Sequence, residues 1–117
     1  MRIKIDPADT LFSKLIRAWH PICQGCHSRS SSEVHHFKGR RYQSVRFDLD
    51  NAWAVCFSCH RKFHEDPFWG IEQMKKRLGS RYDSFILKAN MILKRYDADK
   101  KLIHAWLKSE CKKAGVV

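Results

Sequence analysis

Glu33-Val34-His35-His36-Phe37, then Asp50-Asn51, then Cys56-Phe57-Ser58-Cys59-His60-Arg61-Lys62-Phe63-His64 are the informative blocks of one stretch, residues 33–64, on which the reading of this 117-residue chain turns. Four of the seven histidines and a Cys-x-x-Cys pair fall inside it, and Asn51 follows the His pair after 14 residues. Core packing does not account for so many imidazoles and thiols at short range, whereas these are the side chains that transition metals select. The stretch reads as a metal site with a base beside it, and the rest of the chain as its support.

Two Cys-x-x-Cys pairs, Cys23/Cys26 and Cys56/Cys59, stand 29 residues apart. Each such turn supplies two thiolates at the separation a tetrahedral ion needs, and two turns close a shell of four thiolates, so a structural Zn2+ is expected. The second pair falls where an expected strand meets a helix N-terminus, whose dipole and free amides favour thiolate. Both pairs also read Cys-x-x-Cys-His, the attachment pattern of c-type haem. That reading calls for export and leaves His35, His36 and His64 without a role. Cys111 is left over, as a buried or half-buried thiol in a helix.

On a helix, His60 and His64 lie one turn apart on one face, where two imidazoles can share a metal; Cys59, rotated by about 100° from His60, can serve a different ion. His35 and His36, adjacent on a strand, point to opposite faces. If one is a ligand, the other is either turned away or, with local twist, left free at the edge of the site as a base. His20, His27 and His104 have no such company and read as structural or solvent-facing.

Lysine and arginine number 23 against 12 acidic residues, a net charge of +11 that suits a polyanion such as nucleic acid. Hydrophobic residues at 44% and charged residues at 30% make an ordinary globular balance with no apolar run of membrane-spanning length. The N-terminus, Met1-Arg2-Ile3-Lys4-Ile5-Asp6-Pro7, has no apolar leader region, which points to the cytoplasm and to reduced thiols. One domain over 1–117 is expected, with a core module at 20–66, an N-terminal helix at 9–19 and a C-terminal helical extension at 67–117.

Apolar spacing predicts the helix from Asp9 or Thr10, with Leu11, Leu15, Ile16 and Trp19 on its packed face. Strands are expected at Val34–Phe37 and Ala52–Val55, joined through a basic loop from Lys38 to Arg46, with Trp53 and Phe57 in the core. Helices are expected from near Ser58 to Glu65 and from Trp69 to Leu78 with Gly79 as cap. A longer helix through Phe85, Ile86, Ala89, Ile92, Leu93 and Tyr96 follows, and a last one after Asp97 or Asp99 carries Leu102, Ile103, Trp106 and Leu107.

The series His35-His36, Asn51, His60, His64, spaced by 14, 8 and 3 residues, resembles the ββα-metal fold of HNH endonucleases, with the spacing of the nuclease domains of DNA-degrading colicins. The framing cysteine pairs resemble those of zinc-supported members of that superfamily. A wider run, Phe12-Ser13-Lys14-Leu15-Ile16-Arg17, then Arg46-Phe47-Asp48-Leu49-Asp50-Asn51 and the helical tail, is similar to the phage NinG (Rap) recombination proteins. The resemblance implies an α+β, mainly helical fold: a ββα-metal, treble-clef-like core with structural zinc, one N-terminal helix and about three C-terminal helical segments. It implies a metal-dependent DNA endonuclease of recombination, packaging or DNA processing. His35, His60 and His64 would hold the catalytic Mg2+, Mn2+, Ni2+ or Zn2+, His36 would be the general base, and Asn51 would bond loop backbone and so hold His36. Phosphate contacts are expected from Arg40, Arg41 and Arg46, with Lys38, Arg61 and Lys62 as auxiliaries. Two-strand cutting would favour a homodimer. The alternative is a non-catalytic, zinc-stabilised nucleic-acid-binding module.

Overall fold

Asp6-Pro7 opens the first helix earlier than the apolar spacing suggests. Asp6 accepts from the backbone N–H of Ala8 and Asp9, Asp9 returns a bond to the Asp6 N–H, and Pro7 has no donor to lose at the first helical position. The helix α1 therefore spans Pro7–Trp19. In the computed structural model, which describes residues 5–91 and 96–116, it is followed by β1 (Glu33–His36), β2 (Ala52–Val55), α2 (Phe57–Glu65), α3 (Pro67–Leu78), α4 (Tyr82–Ala89) and α5 (Tyr96–Lys113). Short 3-10 turns lie at Gln43–Val45, Leu49–Asn51 and Gly79–Arg81. The result is a mainly helical α+β fold, and no helix among the described residues is long and apolar enough to cross a membrane.

β1 and β2 pair antiparallel, with Glu33 opposite Val55, His35 opposite Trp53 and His36 opposite Ala52. β2 is buried along its whole length and takes a different helix layer on each face. Small Ala52 and Ala54 admit α1 and α5, where Phe12, Leu15, Ile16, Leu107 and Cys111 close one core. Trp53 and Val55 face α2, α3 and α4, where Phe63, Met74, Leu78 and Phe85 close the other. The outer edge of β2 is covered as well: Gln24 donates its backbone N–H to Ala54 O and accepts the Ala54 N–H on its side-chain oxygen, both at 2.8 Å.

Several expectations change in this context. Arg46, expected at a phosphate, is 3% exposed. Its guanidinium grips the buried carboxylate of Asp9 on both oxygens, which ties the loop between the strands to the start of α1. Phe57, expected in the core, is 61% exposed because it is the first residue of α2 and points away from the sheet. Trp19, expected on the packed face of α1, is also exposed and meets Trp106 edge to face at 6.4 Å, while Leu107 carries the buried contact of α5 with α1. The first strand ends at His36, although the Phe37 N–H still bonds Asn51 O. The helix expected to run from Phe85 to Tyr96 ends at Ala89, and Ile92 and Leu93 lie outside the described residues. Gly79 does cap α3, at φ +56°, a conformation that glycine adopts without cost.

The Asp9–Arg46 pair governs a first prediction. Burial alone would raise the Asp9 carboxyl, but the hydrogen bond and charge of Arg46, with the Asp6 N–H and Arg40, outweigh it and hold the group below its ordinary 3.8. A carboxylate with a depressed folded pKa gives stability that is complete above its unfolded pKa and lost as pH falls through the folded one. Asp9→Asn strands a buried guanidinium and should cost about 3–5 kcal/mol at pH 7 in urea unfolding. The gap between wild type and variant should stay constant down to about pH 5 and narrow below pH 4, where the wild-type carboxyl also protonates.

Candidate metal centres and nucleic-acid cleft

The first pair of cysteines is held in a small hairpin, residues 22–30, with Ile22 bridged to Ser30 and the Cys23 N–H bonded to Arg29 O. The second pair straddles the entry to α2, with Cys56 at its N-cap and Cys59 in its first turn. The four Sγ atoms lie within 4.8 Å of one another, an arrangement that could hold a structural metal such as zinc. Backbone N–H groups of Gly25 and Cys26 point at Cys23 Sγ, at 3.3 and 3.5 Å. A side chain at Gly25 has no room: its Cβ would stand 2.9 Å from Cys59 Sγ.

The thiols' electrostatics fit a cation. Ser28, through its hydroxyl and backbone N–H, and the Arg29 N–H draw the Cys26 thiol down to about 5. Burial opposes ionisation of Cys23, yet the N–H groups of Cys26, Cys56 and Gly25 lower it overall. Cys59 is pushed up, first by burial and then by its sulfur neighbours. Four sulfurs this close cannot all ionise without positive charge among them.

On the other side of α2, His60 and His64 project toward β1 and meet His35. The candidate ligand atoms of the three also lie within 4.8 Å of one another. Ring centroids are 5.3 Å apart for His35 and His60, 5.2 Å for His35 and His64, and 5.0 Å for His60 and His64. Phe63 stacks on His35 at 4.3 Å and sets its plane. Burial pushes His35 down to about 3, with the charges of His60, His64 and His36 acting in the same direction, so its imidazole is neutral and able to ligate at physiological pH. Glu33 Oε1 lies 2.8 Å from His60 Nδ1 and accepts its N–H in the tautomer that leaves Nε2 of His60 available to an ion. The sequence reading assigned Glu33 no role. Strand alternation was the available signal, since residues 33 and 35 share one face of β1.

His36 points to the other sheet face, 6.0 Å from Phe12 in a stacked arrangement, yet it lines the same cleft as His35 and His64. The cleft holds about 380 Å³ and is completed by Phe37, Gly39, Phe63, Pro67, Gly70 and Ile71. Burial depresses His36 to about 4, Arg40 and Arg46 add to this, and Asp9 opposes it. The imidazole is therefore a neutral base at pH 7. Its Nδ1 is buried with no hydrogen-bond partner among the described residues, a cost that a bound water, ion or phosphate would relieve.

Asn51 is fully buried behind this cleft. Its Oδ1 accepts from the Lys38 N–H at 2.8 Å, and its Nδ2 donates to Lys38 O and Val45 O at 2.9 and 3.2 Å. It thus closes the loop between the strands two residues beyond His36.

The other expected phosphate contacts scatter. Lys38 lies 5.3 Å from the Tyr42 ring centroid and Arg41 lies 5.1 Å from it. Arg40 is half-buried and 3.5 Å from Asp9. Arg61 pairs with Glu65 at 3.0 Å, and Lys62 covers Trp69 at 4.4 Å, both on the exposed side of α2. Arg46 does not reach this surface.

The two clusters generate separable outcomes in metal analysis of the purified chain. Thiolate-bound zinc should remain at about one equivalent in His60→Ala. Cys23→Ser should lose it together with the cooperative unfolding transition, because a site absent from the unfolded chain contributes its binding energy to folding.

Residues 23–66, which contain both clusters, match the model of the HNH endonuclease family. None of the curated proteins or solved structures compared with the chain gives a match. The matched segment runs from the first cysteine of one cluster to just past the last histidine of the other, so the likeness to HNH endonucleases falls on the part of the chain that carries the candidate metal centres.

Proposed function

We propose that the chain is a metal-dependent DNA endonuclease of the HNH class in which His35, His60 and His64 hold a divalent cation and His36 activates water. The observation that carries this reading is a cluster of three imidazoles with ligand atoms within 4.8 Å, two of which, His35 and His64, line a cleft that a fourth, neutral imidazole, His36, also lines. The donor set fits Mg2+ less well than Mn2+, Ni2+ or Zn2+, since imidazole suits the transition ions. When bound, the cation stabilises the charge that develops on phosphate oxygens.

The chain's own residues supply the rest. His36 takes a proton from the attacking water onto an imidazole nitrogen, and the hydrophobic wall of Phe12 keeps that imidazole neutral beforehand. Asn51 fixes Lys38 and, through it, the end of β1, so His36 keeps its aim. Glu33 orients His60. Lys38, Arg40 and Arg41 of the loop, and Arg61 and Lys62 of α2, bear on the phosphate backbone. Cys23, Cys26, Cys56 and Cys59 hold zinc in a treble-clef-like setting, and the whole chain acts as one domain. The likeness to phage NinG (Rap) proteins supports a role in phage-related DNA recombination in the cytoplasm, and pairing of two chains would suit cleavage of both strands.

Nicking of supercoiled plasmid with Mg2+, Mn2+ or Ni2+, against EDTA, tests the reading. Conversion to open circle should need the ion, and its absence with every ion would leave only a zinc-stabilised binding module. His36→Ala should lower the cleavage rate by about a hundredfold or more while DNA affinity stays near wild type. Glu33→Gln should weaken binding of the second ion, measured by calorimetry, by about 10–100-fold and leave the thiolate-bound zinc in place.

A further inference from the structure

Arg46 and Arg77 are both drawn out of solvent, and of these two only Arg46 has an ion-pair partner among the described residues. Arg46 has Asp9. Arg77, on α3, is half-buried with its guanidinium carbon 3.5 Å from the Trp53 ring centroid. One of its nitrogens, Nη1, donates to Asp50 O at 3.3 Å and Ala52 O at 2.7 Å. Those carbonyls satisfy donors without neutralising the charge. No carboxylate makes an ion pair with Arg77 among the described residues, and Asp50 directs its own carboxylate to Arg81 at 2.9 Å. Burial lowers Arg77 to about 10, with the charge of Asp50 opposing only in part. A desolvated cation of this kind is incomplete without an anion.

Arg77 opens onto a groove of about 350 Å³ lined also by Gln24, His27, Trp53, Gln73 and Lys76, with no carboxylate in its wall. Gln24 commits its side-chain oxygen to the Ala54 N–H, so its remaining polar group there is the donating amide. Lys76 pairs with Glu72 at 3.3 Å, but both are exposed and such a pair is weakly held. The groove is therefore a set of donors and positive charge around one unpaired guanidinium.

The groove is separate from the histidine cleft. Gly70 and Ile71 of α3 line the cleft, whereas Gln73, Lys76 and Arg77 line the groove, on the other flank of the buried Met74 and Leu78. We infer that this groove is a second anion site, which takes a backbone phosphate of the DNA apart from the histidine cleft. The choice of DNA as the polyanion rests on the proposed nuclease reading; the presence of an anion site does not.

The test uses the full chain, a fluorescent duplex of about 20 base pairs and no added divalent ion. Gln73→Glu with Lys76→Gln removes two units of charge at the groove without touching the Arg77 bonds to Asp50 and Ala52. Lys112→Gln with Lys113→Gln removes two units on α5. The groove variant should bind about tenfold more weakly, and its dependence of log K on log salt should flatten by about one, while the α5 variant stays within about twofold of wild type. In wild type, the Arg77 Nε–H and the side-chain amide resonances of Gln24 and Gln73 should shift as the duplex is added. Equal losses in the two variants, or resonances that do not move, would overturn the inference. Plasmid nicking by the same proteins separates the two readings. Nicking by wild type with both variants alike removes the groove alone, whereas DNA bound at the groove without nicking keeps it and removes the nuclease.

Discussion

A hairpin of two four-residue strands does not persist in water alone, and the need to brace it organises the rest of this chain. α1 and α5 close one face and α2, α3 and α4 the other, so β2 is buried throughout although the sheet has only two strands. The long connection between the strands would otherwise be a costly closed loop. It is pinned at both ends: Asn51 bonds the backbone of Lys38 and Val45, and Arg46 joins Asp9 under the first turn of α1. The cysteine cluster braces the far end, where the knuckle hairpin meets the start of α2.

One short helix then serves two purposes. Cys59 and His60 are neighbours in α2, but the helical rotation of about 100° sends one toward the sulfur cluster and the other toward β1. The histidine cluster is thus built on elements that the sulfur cluster and the two cores already hold rigid, and a site built on helices and strands keeps its geometry better than one on loops. The two imidazole faces of β1 differ in the same way. His35 stacks on Phe63 and faces its partner histidines, while His36 sits against Phe12 on the α1 side and reaches the cleft from its edge. Burial keeps both neutral, which suits one for ligation and the other for accepting a proton.

Much of this was legible in the residues. The repeated Cys-x-x-Cys spacing pointed to a four-sulfur cluster, and the i, i+4 spacing of His60 and His64 on a helix pointed to imidazoles sharing a face, because both depend on local geometry. β2, α2 and α3 were recognisable within two residues at each boundary, since each carries strong flanking signals such as Pro67 and Gly79. Arg46 was misread because a basic loop looks the same whether its charges face solvent or a buried carboxylate 37 residues away. Trp19 was misread for the converse reason, since apolar residues at helical spacing do not reveal which of them finds a partner, and Phe57 was misread because an aromatic beside a buried strand can equally open a helix facing solvent.

The sequence by itself determined the chemistry of the chain: which side chains can bind metal, at what spacing along strand or helix, and the excess of positive charge. Those follow from residue type and from the fixed periods of local structure. Only the tertiary structure decided which of them meet. It placed His35 of β1 among His60 and His64 of α2, gave His60 the carboxylate of Glu33, turned His36 to the opposite sheet face yet into the same cleft, and gave Arg46 a buried carboxylate but Arg77 only carbonyls. These are contacts between residues distant along the chain, set by how the helices pack on a two-stranded sheet, and no local period encodes them.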